Sequence, residues 1–163
     1  MNLGYACINT ALSANKIMTN RTMRRKTFDA QGIDYVSDLA LLNVKDLKTI
    51  VQWNNEMGIK LFRLSSQIFP WTDEYKLSDL KDYDEICELM LEIGEIATNA
   101  NQRLTMHPGP YNCLASPNQK VVEKTIRELN VHSEQFNMLG FEPSNYNKIN
   151  IHVGGAYGDK KTT

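Results

Sequence analysis

Four short apolar runs alternate along the chain with three longer segments of helical periodicity. Each run has the length of a β-strand and is bounded by polar residues or glycine. The longer segments repeat apolar residues at spacings of three and four, as amphipathic helices do. This alternation predicts parallel strands joined by right-handed helical crossovers. The predicted strands are LGYACI at 3–8, IKLFRLS at 59–65, RLTMH at 103–107 and INIHV at 149–153.

Each predicted helix lies between two consecutive strands. Apolar positions within 39–57 indicate the first helix, and those within 80–97 indicate the second. Ser116 is the predicted N-cap of the third helix, and Gly140 follows its last turn. The predicted buried stripe of this third helix consists of Val122, Ile126, Leu129, Phe136 and Leu139.

Polar or metal-ligating residues occur at the end of every predicted strand. The first strand leads to Asn9, the second to Ser65, the third to His107 and the fourth to His152. Barrel enzymes keep their active sites at the carboxyl ends of the strands, whereas an open sheet binds mainly at one crevice. A complete (β/α)8 barrel needs eight strands and about 250 residues. Residues 1–163 contain only four predicted strands, so we predict that they form a single incomplete α/β domain. We expect this domain to be half of a (β/α)8 TIM-type barrel, with four parallel strands and helical crossovers.

His107 and His152 are the best candidate metal ligands. They lie 45 residues apart, one βα unit, and each is followed by glycine within two residues. Adjacent strands would bring both imidazoles to one rim, where they could bind a transition metal. The alternative is that two unrelated histidines happen to end strands. His132 lies within the third predicted helix and is interpreted as structural.

Composition and charge limit the classes of function. Hydrophobic residues make up 42% and charged residues 23%, which is typical of a soluble globular protein. No apolar run approaches the roughly 18 residues of a membrane span, and three scattered cysteines without a signal peptide favour a reduced, intracellular setting. The net charge of −1 provides no overall attraction to nucleic acid, but residues 1–28 carry five cations and no carboxylate. This basic segment is either a solvated surface or a phosphate-binding patch.

Tyr111 is a candidate nucleic-acid contact. It follows Gly109 and Pro110, which predict a tight surface turn just after His107. An exposed aromatic side chain beside basic residues is suited to stacking on bases or wedging between them.

Five motifs in this order resemble the UV damage endonuclease family. They are LGYACIN at 3–9, TNRT at 19–22, FRLSSQIFPW at 62–71, MHPGPYNCLASP at 106–117 and INIHVGGAYGDK at 149–160. The resemblance implies a metal-dependent (β/α)8 barrel related to endonuclease IV. It also implies an enzyme that nicks the DNA backbone on the 5′ side of pyrimidine dimers, 6-4 photoproducts and abasic sites, typically with Mn²⁺.

The same resemblance implies roles for individual residues. His107 and His152 match metal-ligand histidines of the family. Glu74 stands where some members carry a further histidine ligand, and it is equally compatible with a surface glutamate. The residues implied to contact DNA or probe the lesion are Tyr5, Asn9, Arg21 and Tyr111.

Two features depart from the family pattern. Where the family commonly reads HPGQY, Pro110 replaces the glutamine that pairs with the tyrosine in the lesion wedge. Family members also supply carboxylates, histidines and a lysine from strands five to eight, whereas the resemblance covers only the amino-terminal half. We therefore expect a truncated enzyme, either a fragment or one half of a split enzyme whose missing half-barrel is a separate chain.

Three functions remain open on the sequence. The first is the DNA repair endonuclease, with damaged double-stranded DNA as partner and no membrane. The second is a non-enzymatic DNA-binding fragment or one half of a split enzyme. The third is a metal-dependent sugar isomerase or epimerase, which shares strand-end histidines but does not account for TNRT, HPGPY and the basic segment together.

Overall fold

Strands and helices alternate through the chain, as the apolar pattern predicts. The computed structural model describes residues 3–151. The strands are β1 (Gly4–Ala6), β2 (Leu61–Leu64) and β3 (Arg103–Met106), and the helices are α1 (Thr10–Ser13), α2 (Arg25–Glu56), α3 (Tyr83–Asn99) and α4 (Gln119–Met138), with a 3-10 turn at Leu77–Asp79.

The three strands form one parallel sheet in the order β1-β2-β3. Tyr5 pairs with Phe62, which in turn pairs with Leu104. Because side chains alternate along a strand, these three residues share the face that α2 and α3 cover, where Phe62 and Leu104 are fully buried. The α/β class with parallel strands and helical crossovers is confirmed.

The predicted fourth strand, at 149–153, is only partly visible. Ile149 forms an isolated parallel bridge with Met106. Two hydrogen bonds form the bridge. Met106 N–H donates to the Lys148 carbonyl at 3.1 Å, and Asn150 N–H donates to the Met106 carbonyl at 2.9 Å. Residues 149–151 therefore lie beside β3 without forming a regular strand, and His152 lies outside the described residues. The four-stranded half-barrel stays a prediction.

Helix α2 begins well before the predicted range of 39–57. It starts at Arg25, but the backbone of Gly32, with φ 67° and ψ −160°, is not helical, so α2 consists of two helical stretches that meet at a kink. The first turns carry no apolar stripe, so hydrophobic periodicity could not reveal them. They are held by an ion pair between Arg25 and Asp29, four residues apart at 2.8 Å.

The predicted start of the third long helix was wrong by two residues. Asn118, not Ser116, is the N-cap of α4, and its side chain accepts a hydrogen bond from Lys120 N–H at 3.1 Å. Ser116 instead accepts from Asn118 N–H at 3.2 Å and shapes the preceding turn. Gly140 does follow the helix, with a φ of 70°.

The buried stripe of α4 also differs from the prediction. Ile126 is 45% exposed, whereas Thr125 and His132 are 1% exposed. The face of α4 that packs inward meets polar loop backbone as well as apolar side chains, so it favours residues that form hydrogen bonds. His132, which was interpreted as a structural residue, is buried on α4. Within 3–151, no helix has both the length and the apolar character needed to cross a membrane.

Candidate nuclease site at the strand ends

His107 follows β3 directly and is half-buried. Its Nδ1 lies 2.9 Å from the carbonyl oxygen of Asn150, two residues before His152. A carbonyl only accepts hydrogen bonds, so Nδ1–H is the donor of this bond. Metal-binding imidazoles commonly donate one ring N–H to a carbonyl in this way. The His107 ring is therefore tied to the residues that lead to His152, and metal binding by His107 stays a prediction.

Glu74 is held in an ion pair rather than beside His107 in a cluster of ligands. Its Oε1 lies 2.5 Å from Arg25 Nη1, and Arg25 also binds Asp29. In the part of the chain that the structure describes, no three histidines, cysteines or carboxylates are grouped to hold a metal ion. Among the described residues, His107 is thus bound to the Asn150 carbonyl and Glu74 to Arg25, and metal binding by either residue stays a prediction.

The loop after β2 positions Glu74 through aromatic contacts. Trp71 has a left-handed φ of 62°, a strained conformation for a bulky residue. Its indole N–H donates to the Met23 carbonyl at 3.1 Å, and its ring stacks on Phe28 with centroids 5.4 Å apart. The Arg25 guanidinium lies over the Trp71 ring at 5.6 Å. The basic amino-terminal segment and the FPW loop are therefore packed together, an arrangement that the sequence did not predict.

Tyr5 and Asn9 are brought together, but on the helix-covered side of the sheet. Asn9 Nδ2 donates to the Tyr5 hydroxyl at 2.8 Å, and that hydroxyl donates to Asn54 Oδ1 at 2.7 Å. Asn54 then donates to Gln102 Oε1 at 3.0 Å. Burial is the main cause that raises the pKa of Tyr5, so its hydroxyl stays protonated at neutral pH. These hydrogen bonds link Asn54 on α2 to Tyr5 on β1 and to Gln102, which directly precedes β3. Contact of Tyr5 and Asn9 with DNA stays a prediction.

The partly buried side chain of Arg21 is bonded to other groups of the protein. Its guanidinium lies 2.6 Å from Asp46 and donates to the Met18 and Lys16 carbonyls at 2.6 and 2.7 Å. The loop that carries TNRT is therefore pinned to α2 by Arg21. Phosphate contact by this residue stays a prediction, and it would have to compete with the Asp46 carboxylate. The other four cations of the basic segment are exposed, and of these Arg25 is paired with Asp29 and Glu74; the remaining three are Lys16, Arg24 and Lys26.

Asn43 is a buried residue of this region that the sequence analysis missed. Its Oδ1 accepts from Arg21 N–H at 3.0 Å, and its Nδ2 donates to the Ile68 carbonyl at 3.0 Å. One amide thus joins the TNRT loop to the loop after β2. The available signal was a single asparagine within the apolar stripe of a helix, where a polar residue requires hydrogen-bonding partners.

Tyr111 is the most exposed aromatic residue near the strand ends, at 90%. It sits in a turn closed by Asn112, whose N–H and side-chain amide both donate to the Gly109 carbonyl, at 3.3 and 2.9 Å. Helix α4 holds the turn on both sides of Tyr111. Glu128 Oε1 accepts from Gly109 N–H at 2.8 Å, and Thr125 Oγ1 accepts from Cys113 N–H at 3.0 Å.

A cavity of about 410 Å³ lies beside this turn. Tyr111, Lys120 and Lys124 contribute to its lining. Lys124 is paired with Asp73 of the loop after β2 at 2.8 Å. An exposed aromatic ring on a braced turn beside two cations is an arrangement that can stack on a base while binding phosphate.

Comparisons with known proteins identify the family. The family model described as UV-endonuclease UvdE matches residues 1–163. A protein of Acanthamoeba polyphaga mimivirus, assigned by its name to the UV-damage endonucleases, is 42% identical over 163 residues, covering 99% of this chain and 49% of the viral protein. The UV-damage endonuclease of Schizosaccharomyces pombe is 37% identical over 166 residues, covering 99% of this chain and 27% of the yeast protein.

A solved structure agrees with the sequence comparisons. The crystal structure of SacUVDE matches with a TM-score of 0.84 and 28% identity, covering 99% of this chain and 52% of that chain. The chain thus spans about half the length, or less, of the relatives it matches. The order of strand ends, the braced Tyr111 turn and these matches lead to one assignment: the chain belongs to the UV-endonuclease UvdE family.

Proposed function

We propose that this chain contributes the DNA-facing part of a repair endonuclease that nicks the backbone 5′ to UV photoproducts or abasic sites. Family membership over residues 1–163 supports the reaction class. The observation that carries the proposal is the His107 ring at the end of β3, whose Nδ1–H donates to the Asn150 carbonyl, the bond by which metal-binding imidazoles are commonly oriented. A match to endonucleases leaves the sugar isomerase or epimerase alternative without support.

In this proposal His107, His152 and Glu74 are ligands of a divalent cation, with Mn²⁺ as the preferred ion. When bound, such an ion supplies an activated water and neutralises charge that develops on the phosphate. The Nδ1–H bond of His107 fixes the ring orientation in advance. Glu74 joins the site only by leaving Arg25, whose guanidinium is then released toward the phosphate backbone.

Recognition of damaged double-stranded DNA is assigned to the loops beside these proposed ligands. Tyr111 stacks on or wedges beside the lesion from its braced turn, and the exposed cations of the basic segment contact phosphates. The Pro110 side chain beside Tyr111 cannot form hydrogen bonds, so recognition of the lesion by this turn relies on shape and stacking. Tyr5, Asn9 and Arg21 contribute by shaping the loops, and any direct contact requires their internal partners to yield.

We also propose that cleavage needs the region of these relatives that the chain does not match. The described residues hold fewer than three grouped ligands, and the relatives are about twice as long as this chain or longer. The unmatched region would supply the remaining ligands. Supplied as a separate polypeptide, it makes a split enzyme; the non-enzymatic alternative is DNA binding without cleavage.

Nicking of UV-irradiated supercoiled plasmid with MnCl₂ tests these proposals. The chain alone should bind the plasmid without nicking it. Mixed with the unmatched half of the mimivirus relative, it should nick irradiated plasmid and spare unirradiated plasmid. In the mixture, His107→Ala should lower nicking by at least about 100-fold and weaken Mn²⁺ binding measured by electron paramagnetic resonance, with an unchanged thermal melt. Nicking by the chain alone, or full activity of the variant, contradicts the assignment.

A further inference from the structure

The inward face of α4 carries a stripe of polar side chains, where an amphipathic helix normally buries apolar ones. The members of this stripe follow one another at spacings of three or four residues, so they lie on one side of the helix. Three of them are 1% exposed, and the fourth, a glutamate, is partly buried. We call this surface the polar stripe; its members are Thr125, Glu128, His132 and Gln135.

Two members of the polar stripe hold the turn that carries Tyr111. Thr125 Oγ1 accepts from Cys113 N–H at 3.0 Å, and Glu128 Oε1 accepts from Gly109 N–H at 2.8 Å. Each bond satisfies a backbone donor that no neighbouring strand could satisfy. Support of this turn therefore explains why the first two members of the stripe are polar.

His132 is the next member of the polar stripe, and the proposed function does not use it. Its Nε2 lies 3.5 Å from Glu128 Oε1, and its Nδ1 lies 3.4 Å from the side-chain amide nitrogen of Gln135. An amide nitrogen only donates hydrogen bonds, so Nδ1 is the acceptor in this contact and the ring proton is on Nε2. The N–H edge of the imidazole therefore faces the Glu128 carboxylate.

A side chain that served only to fill space at this position would not need the two ring nitrogens. Buried polar atoms without a good hydrogen bond lower stability, and within the described residues His132 Nε2 forms none of ordinary length. The imidazole nevertheless changes its neighbour, because His132 is the main cause that lowers the pKa of Glu128 to about 2. Glu128 is thus ionised at neutral pH, and a carboxylate accepts a stronger hydrogen bond from Gly109 N–H than a neutral carboxyl group would.

We propose that His132 is a positioning residue for lesion recognition, which acts through Glu128 on the turn that carries Tyr111. The imidazole N–H keeps the carboxylate ionised and directed at Gly109 N–H. That bond fixes the backbone two residues before Tyr111, so the aromatic ring is presented in one orientation. The inference rests on the proposed function, in which Tyr111 probes the lesion.

A metal site at the same pair fits the structure less well. Glu128 and His132 are four residues apart on one helix face, a spacing at which two ligands can share a metal ion. In the part of the chain that the structure describes, however, no third histidine, cysteine or carboxylate is grouped with them. Glu128 Oε1 also already accepts the hydrogen bond from Gly109.

Hydrogen exchange of backbone amides tests the positioning role in this chain, without DNA or metal. His132→Phe keeps a ring of similar size and removes both nitrogens. Exchange at the Gly109 amide should accelerate at least about fivefold relative to the Cys113 amide, because only the Gly109 bond depends on the carboxylate. His132→Gln places an amide N–H near the position of Nε2 and should restore most of the protection. His132→Leu provides the same test if His132→Phe does not fold.

Two controls separate positioning from packing. Phe136→Leu changes another buried residue of α4 and should lower stability without selective acceleration at Gly109. In the Glu128→Ala background, His132→Phe should accelerate Gly109 exchange by less than about twofold, because the bond through which it acts is already absent. Equal acceleration at Gly109 and Cys113, an unchanged Gly109 amide, no recovery in His132→Gln, or a full effect in the Glu128→Ala background overturns the proposal.

Binding of fluorescein-labelled duplexes in EDTA tests the link to recognition. The ratio of affinities for UV-irradiated and undamaged duplex should fall at least about fivefold in His132→Phe and stay within about twofold of the wild-type ratio in Phe136→Leu. Full discrimination by His132→Phe would overturn the inference and leave the proposed function intact. A wild type that does not distinguish the duplexes would contradict the proposed function, whereas selective exchange at Gly109 would retain the link from His132 to the turn.

Discussion

Glu128 on α4 accepts a hydrogen bond from the backbone N–H of Gly109, with Oε1 and N 2.8 Å apart. This contact joins a helix to the turn that carries Tyr111 across 19 residues of sequence. His132 lies next to the same carboxylate, with Nε2 3.5 Å from Oε1. That distance is long for a hydrogen bond, so the Gly109 bond is the contact that braces the turn.

Removing the Glu128 carboxylate should loosen the Tyr111 turn. Glu128→Ala leaves Gly109 N–H without its partner and should destabilise the protein by about 1–3 kcal/mol. Hydrogen exchange should accelerate at the Gly109 amide and much less at Cys113, whose N–H is held by Thr125. Glu128→Gln keeps an acceptor and should restore most of the protection. Glu123→Ala, on an exposed position of α4, is the control; equal exchange in all variants would contradict the bracing role.

Glu128 should also make stability depend on pH in the acid range. The neighbouring His132, whose Nε2 lies 3.5 Å from Oε1, is the main cause that lowers the pKa of Glu128 to about 2, and hydrogen bonds from Gly109 and Asn112 add to its effect against burial. A carboxyl group with a depressed pKa contributes stability above its unfolded value, near 4.3. That contribution is lost as pH falls from about 4.5 toward 2. Urea melts across this range should show a smaller decline for Glu128→Gln than for the wild type, and parallel declines would exclude the effect.

The Tyr5 hydroxyl should contribute more to stability than to DNA binding. Tyr5→Phe keeps the ring, whose centroid lies 4.9 Å from that of Phe62, and removes the hydrogen bonds to Asn9 and Asn54. We expect a loss of about 1–3 kcal/mol in the free energy of unfolding, because two side chains lose a buried partner. Affinity for irradiated duplex should change by less than about threefold. A large drop in affinity with unchanged stability would instead establish a DNA contact by Tyr5.

Tyr111 should discriminate damaged from undamaged DNA. The ring is 90% exposed, so Tyr111→Ala should leave the thermal melt unchanged. Loss of one stacked base contact is worth about 1–3 kcal/mol, which predicts weaker binding of UV-irradiated duplex by about 5- to 150-fold, with little change for undamaged duplex. Tyr146→Ala removes another exposed tyrosine, at 52%, and serves as the control. A uniform loss of affinity for both duplexes would contradict lesion probing.

Gly94 should be irreplaceable for the contact between α3 and the end of α4. A Cβ placed at Gly94 would overlap the backbone carbonyl of Leu139, which cannot move as a side chain can. Gly94→Ala should lower the free energy of unfolding by about 1–3 kcal/mol through overpacking, despite the better helix propensity of alanine. Glu95→Ala, on the exposed face of the same helix, should have little effect. Equal melting temperatures for the two variants would contradict this packing.

The coarse fold could be predicted because its signals are local. A short apolar strand such as β2 around Phe62, and a helix such as α4, which Gly140 follows, each leave a periodic or capping pattern within a few residues. The start of α2 at Arg25 was missed because Gly32 separates this short stretch from the longer periodic one, and Phe28 alone does not make a repeating apolar pattern. The prediction that Ile126 is buried was wrong because hydrophobic periodicity does not show which side of a helix packs against loop backbone and which side faces solvent.

The sequence by itself determined the alternation of strands and helices, the family motifs and the position of His107 at a strand end. Only the tertiary structure decided the partners of the polar groups: Arg21 with Asp46, Glu74 with Arg25, and Glu128 with Gly109. Local periodicity depends on residues close in sequence. Hydrogen bonds and ion pairs instead join segments that folding brings together from 19 to 49 residues apart, and no single segment specifies its partner.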